Sequence, residues 1–316
     1  MRDNPVGLGI LLGALLWALI LVPTCAFALR HDSAVPVLLY HSRNVGPDCS
    51  DLDTDVYALR RDLEVIRQAG FEVVPLSDIV DWYLGKLGSA LPEHVVGISV
   101  DDGFDRDWLD NIPHKNTPGY PCSGLPSVRS IAEANQAPIT FFVIGARQAR
   151  QAITEDWMND NWWATADAHP LFAVENHGID HDHSLIRRQT LDKQIHVYLP
   201  AGGFADGNWF GLERPERIDT WWANTVHIQR SAVYIQSKTG RRPRLFAHPF
   251  GRLSGYTESV YLPQEWWIHR TDAAFCIEGG THYVTKSSPQ YCLPRFTYGH
   301  SWRTASELAD ILEGSR

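Results

Sequence analysis

The sequence predicts a single-domain α/β barrel, and three observations carry that reading. From Val35 onward, apolar β-rich runs alternate with segments of helical spacing, the pattern of parallel strands joined by crossover helices. One run, in the stretch HVVGISVDDGFDRDW, ends in adjacent carboxylates, Asp101 and Asp102, followed by Gly103. In α/β folds the carboxyl ends of strands are where ligands bind. The chain's 316 residues, 44% hydrophobic and 21% charged, suit one large domain with a sizeable core, or two small ones. No repeat, low-complexity segment or second domain interrupts residues 35–316.

Residues Val6 to Val22 form an apolar run preceded by Arg2 and followed by Pro23 to Ala28. The charged start, the apolar stretch and the small residues Ala26 and Ala28 read as a secretory signal cut after Ala28. If the run extends through Leu29, residues 1–28 would instead serve as an uncleaved membrane anchor. Thr24 before Cys25 fits a lipid-attachment site poorly. Either way the folded part is expected outside the cytoplasm, periplasmic or secreted.

VPVLLYHS (35–42) reads as a buried strand ending in His41. Tyr57 to Gln68 places Leu59, Leu63, Val65 and Ile66 at helical spacing and stops at Ala69-Gly70. FEVVPL (71–76) is the next strand, and Ser77 to Leu84 a helix capped by Ser77 or Asp78. After the Asp-Asp strand comes an irregular loop, Asp105 to Gly124, expected to wall a substrate cleft. Ser127 to Gln136 is a helix, and PITFFVIG (138–145) and LFAVENHG (171–178) are strands. AGGFADGNWFG (201–211) reads as a loop or insertion, and residues 201–214 as the second cleft wall. Pro215 to Gly240 is a long helix with Pro215 near its first turn. Strands RLFAHPFG (244–251), DAAFCIE (272–278) and YCLPRFTY (291–298) follow, and Thr304 to Glu313 is a closing helix.

A net charge of −9 argues against nucleic acid and against an anionic membrane surface as partners; membrane contact is expected only through the possible anchor, and the chain as a monomer. Of the twelve tryptophans, three pairs stand out: Trp162-Trp163, Trp221-Trp222 and Trp266-Trp267. Most tryptophans are expected in the core rather than stacked on sugar rings. With Cys25 removed, Cys49, Cys122, Cys276 and Cys292 remain, an even number for an oxidising compartment. The expected pairs are 49–122 and 276–292, among three possible connectivities. There is no C-x-x-C, which argues against a cysteine zinc site.

The chemistry starts from charge. Two adjacent carboxylates repel and need a cation, a shared proton or water. ENHGIDHDHSL (175–185) supplies His177, His181 and His183. His177 and His181, four apart, would lie on one face of a helical turn within reach of one divalent ion. Asp102 would complete a His-His-carboxylate set with positions open for water and substrate.

SVDDG at Ser99 to Gly103, followed by His177-Gly178-Ile179-Asp180-His181, resembles the polysaccharide deacetylase family, carbohydrate esterase family 4 with its NodB-homology domain. The family's usual motifs are TFDDG and H-[ST]-x-x-H, and the resemblance runs from about Val35 to the C-terminus. It implies a distorted, incomplete (β/α) barrel, with Asp101 as catalytic base and Asp102, His177 and His181 as metal ligands. The metal expected is Zn²⁺, with Co²⁺ or Ni²⁺ also suited to two imidazoles and a carboxylate.

The third family motif, R-x-P-[FY], becomes Ala247-His248-Pro249-Phe250 here. Pro249 and Phe250 fit, and by resemblance they border the substrate, the Phe250 amide serving the oxyanion. The arginine that orients the catalytic Asp is replaced by Ala247, and Arg295 in LPRF is the nominated substitute against a plain surface role. His300 is the nominated general acid, with His41, His183, His269 and His282 as rivals. The fourth motif is not visible. The expected activity is hydrolysis of N-acetyl groups on an N-acetylglucosamine-type cell-wall or exported glycan. The alternatives are an O-acetyl glycan esterase, an amidase with a small substrate, and a non-catalytic carbohydrate-binding protein.

Overall fold

The computed structural model describes residues 34–42, 55–88, 91–111, 126–153, 158–181, 220–251, 254–277 and 283–316. The expected leader, the 49–122 disulfide, His183, His282 and residues 201–214 lie outside them.

In chain order the strands are β1 (Val35–Tyr40), β2 (Glu72–Val74), β3 (Val95–Val100), β4 (Ile139–Val143) and β5 (Phe172–Asn176). They continue as β6 (Leu245–Ala247), β7 (Ala273–Cys276), β8 (Tyr283–Val284), β9 (Leu293–Pro294) and β10 (Phe296–Thr297). Among the described residues they form one ten-stranded sheet with the path β10-β1-β3-β4-β5-β6-β7-β9, while β2 adds to β3 and β8 to β1. The pairings along this path are parallel; β8 runs antiparallel to β1. Every residue of β1 and β3 is buried, as expected of parallel strands covered on both faces.

The sheet is drawn nearly closed by one passage of chain. Leu293 pairs with Phe275 of β7, and Phe296 pairs with Leu38 of β1. YCLPRFTY is therefore two short strands rather than the one expected, with Arg295 between them. Pro294, the last residue of β9, has no N–H to donate to a ladder. The result is a distorted, incomplete α/β barrel.

Helix α1 (Asp55–Gln68) buries Val56, Leu59, Leu63 and Ile66 on one face. Helix α2 (Leu76–Tyr83) starts behind Pro75 with no side-chain cap; Ser77 and Asp78 lie inside its first turn, which corrects the expected cap. In α3 (Val128–Asn135) the Ser127 hydroxyl accepts the Ser130 N–H at 3.1 Å. Short helices α4 (Arg147–Ile153) and α5 (Trp163–Asp167) add to the helices expected from the sequence.

The long helix expected to end at Gly240 is interrupted. Its described part is α6 (Trp221–Asn224), a π turn over Thr225–Arg230, and α7 (Ser231–Thr239). Later come α8 (Trp266–His269) and α9 (Ala305–Glu313), the latter opened by a Thr304–Glu307 capping box.

Trp108, Trp162, Trp163 and Trp302 are in the core, but Trp221, Trp222, Trp266 and Trp267 are exposed. Two of the three tryptophan pairs are thus on the surface, which narrows the core expectation. The Cys276–Cys292 disulfide forms as expected and ties the end of β7 to the residue before β9. No helix among the described residues is long and apolar enough to cross a membrane.

Candidate active site

β3 ends at Val100, and the chain then turns through Asp102 and Gly103, both at φ 80°. Strand alternation would send Asp101 and Asp102 to opposite faces. The left-handed turn, which Asp tolerates better than most residues, breaks that alternation and lets both carboxylates serve one site. Asp101 is anchored to the neighbouring strand, its N–H donating to Tyr40 O at 3.1 Å.

Arg295 donates from Nη1 and Nη2 to the two Asp101 carboxylate oxygens, at 2.7 and 2.8 Å. It donates also to Ser99 Oγ at 3.2 Å and lies with its guanidinium over the Phe142 ring. Arg295 is fully buried, so the plain surface reading is excluded. Burial by itself would push the Asp101 carboxyl up, but Arg295, aided by His177, outweighs it and holds the group below the usual range. The base candidate is thereby kept as an anion.

Asp102, His177 and His181, all buried, bring one ligand atom each within 4.8 Å of one another. His181 Nε2 lies 3.2 Å, and His177 Nε2 3.6 Å, from Asp102 Oδ1. His177 Nδ1 lies 2.9 Å from Ala247 O. A carbonyl only accepts, so Nδ1 carries the hydrogen and Nε2 turns its lone pair toward Asp102. Burial, opposed by Asp101, holds the His177 pKa down to about 4, which keeps the ring neutral. Asp102 Oδ1 is buried and accepts no hydrogen bond among the described residues. A carboxylate oxygen and two imidazoles converging on one point fit a divalent cation.

The expected helical turn between the two histidines is not formed. After β5 the chain continues as a loop through His177, Gly178, Ile179 and Asp180. The four-residue spacing brings the imidazoles together, ring centroids 5.4 Å apart, by a loop instead.

Pro249 and Phe250 occupy the turn after β6. Phe250 has φ 57°, and its ring packs on His181 with centroids 4.0 Å apart. His248, between them and Ala247, is buried and faces Tyr291 O through Nε2 at 3.0 Å.

His300 sits exposed in the turn after β10, its N–H bonded to Thr297 O. His269 is buried with Nε2 on Leu262 O and serves the packing there. His41, which follows β1, also acts on Asp101, less than Arg295 and His177 do. It is partly exposed, donates its N–H to the buried Asp55 carboxylate, and holds Nδ1 4.0 Å from the same oxygen. The sequence named His41 only as a rival and missed Asp55, which lies before the helix expected from Tyr57 and in the structure begins it.

The family model described as polysaccharide deacetylase matches residues 88–262. Among solved structures, IcaB from Ammonifex degensii is 18% identical with a TM-score of 0.56, over 88% of this chain and 98% of that one. The de-N-acetylase from Aggregatibacter actinomycetemcomitans is 15% identical with a TM-score of 0.54, over 87% and 99%. The Streptococcus pyogenes deacetylase PplD, in complex with acetate, is 13% identical with a TM-score of 0.54, over 89% and 99%. No curated protein matches the chain.

Proposed function

The chain belongs to the polysaccharide deacetylase family, and from that premise we propose that it is a metal-dependent hydrolase removing N-acetyl groups from an extracytoplasmic N-acetylglucosamine-type polysaccharide. The observation that carries this reading is the division of labour between the two adjacent carboxylates. Asp102 belongs to the three-residue ligand set, while Asp101 is clamped by Arg295 and left outside it. A binding protein has no need of the second carboxylate. The fold relative described as a de-N-acetylase, and the one holding acetate, agree with an acetyl-releasing activity.

A divalent ion held by Asp102, His177 and His181, most suitably Zn²⁺, would supply Lewis acidity to the acetyl carbonyl and make an attacking water more acidic at neutral pH. Asp101 accepts the proton of that water. Arg295 keeps Asp101 charged and fixes both of its oxygens, in place of the family arginine that Ala247 lacks. Pro249 and Phe250 border the acetyl group, with the Phe250 amide as the donor to the developing oxyanion. His41, backed by Asp55, protonates the leaving amine; its place at the end of β1, in register with the β3 end that carries Asp101, favours it over the exposed His300.

The test is acetate release from N-acetylglucosamine oligomers and from O-acetylated glycans, after metal stripping and again after Zn²⁺ is restored. The reading expects zinc-dependent release from the N-acetyl substrates. Release from O-acetyl substrates alone would move the protein to the esterases.

A further inference from the structure

The two ligand histidines flank the loop Gly178-Ile179-Asp180, in which Ile179 and Asp180 are buried. Gly178 follows His177 at φ 86°, where the related motif carries a Ser or Thr. Backbone contacts also hold the loop from two sides. Gly178 O accepts the Gly145 N–H at 2.8 Å, and Ile179 O accepts the Ala146 N–H at 2.9 Å, both from the end of β4. From the other side, Ile179 donates its N–H to His227 O at 2.9 Å. Asn176 joins them, with Oδ1 accepting the Gly178 N–H and Nδ2 donating to Ile228 O, each at 2.9 Å.

His227 and Ile228 lie in the π turn, a wider coil that occurs mostly as single insertions and often at functional sites. Both of these carbonyls accept bonds from outside the helix. The His227 ring is buried and sits against Gly178: a Cβ at position 178 would lie 2.7 Å from its Nε2 and 2.8 Å from its Nδ1, with Cε1 nearer still. Phe246 of β6 meets the same ring edge to face, centroids 5.6 Å apart. The helix approaches equally closely at Gly145, where a Cβ would lie 3.1 Å from the Ser231 backbone. Ring, carbonyl and bare glycine therefore form one fitted contact directly behind the metal-ligand loop.

We propose that His227 is a positioning residue for the metal site: its ring fills the space that a side chain at Gly178 would take, and its carbonyl fixes Ile179, so the π turn sets where His177 and His181 point. This rests on the reading of Asp102, His177 and His181 as a metal site. Supporting groups behind metal ligands commonly change metal affinity 10- to 100-fold when removed.

The experiment measures Zn²⁺ affinity by competition with a chromophoric chelator, and the Co²⁺ absorption spectrum, for the full chain and for its His227→Ala and His227→Asn variants. Far-UV circular dichroism and the metal-free melting temperature are recorded alongside. The expected result is an affinity loss of about tenfold or more in a variant that folds as the parent does, with an altered Co²⁺ spectrum. A folded variant whose affinity stays within about threefold of the parent would overturn the proposal, because supporting-shell losses start near tenfold. Failure of both variants to fold would overturn it too, by assigning His227 to general packing. If the parent itself binds neither ion, the metal reading fails and this inference with it. That outcome is distinguished from the others by the parent alone.

Discussion

Arg295 closes both arms of its guanidinium on the Asp101 carboxylate, at 2.7 and 2.8 Å, from the residue where the last barrel passage changes partners. The two groups are far apart in sequence and wholly inside the protein. A buried pair of this kind is costly to break, because removal of one partner leaves the other charge uncompensated.

Arg295→Met is therefore expected to destabilise the fold by about 3–5 kcal/mol, measured by urea unfolding. In whatever fraction folds, the pH–rate profile carries a second consequence. The native Asp101 pKa is depressed, so the charged base persists to lower pH than in an ordinary aspartate, and activity is lost as pH falls through that value. Without Arg295 the upward push of burial is opposed only by the weaker pull of His177 and His41, and the acid limb of kcat/KM moves to higher pH. An unmoved limb would mean that Arg295 does not set the state of Asp101.

His41→Ala is expected to lower kcat by about 10²–10⁴-fold, the range for loss of a general acid or base, while His300→Ala stays close to the parent. Steady-state acetate assays on the two variants decide between them. The reverse pattern would restore the family's late-strand histidine to the role.

His248 supplies a stability prediction. Burial holds its pKa down to about 3, whereas in the unfolded chain it takes up a proton near 6.5. The unfolded state thus binds more protons between those values. The stability tied to the neutral ring is complete above about pH 6.5 and declines as pH falls through this window. His248→Asn should melt below the parent at pH 7.5, with the gap narrowing by pH 4.5. A gap that does not narrow would show that the ring is not neutral in the native state.

Asp102→Asn removes the carboxylate of the proposed ligand set. It is expected to weaken Zn²⁺ binding by at least tenfold in chelator competition while leaving the fold intact, as judged by circular dichroism.

Much of this was legible in the sequence because chemistry and local pattern coincided there. The strand before Asp101 is a continuous apolar run, and the Asp-Asp-Gly at its end marks both a turn and a charge problem that only a cation or proton solves. The alternation of strands and helices likewise carried the barrel. Arg295 was a reasoned nomination, since a base lacking its family arginine needs another cation. Its position in the seam between β7 and β1 was not legible, because strand pairing is set by distant parts of the chain. The π turn and the histidine loop were missed for a related reason. Spacing of four fits a helical turn and a loop equally, and the contacts that hold the loop come from distant parts of the chain, the end of β4 and the π turn. Two surface tryptophan pairs escaped because an aromatic pair in sequence does not state which face is covered.

The most direct test of the account is acetate release by zinc-restored Asp101→Asn, with bound zinc measured in the same preparation. The account predicts zinc content equal to the parent and a fall in kcat of at least about 10²-fold, because Asp101 lies outside the ligand set. Full activity in this variant would contradict the account, and so would loss of the zinc, which would make Asp101 a ligand rather than the base.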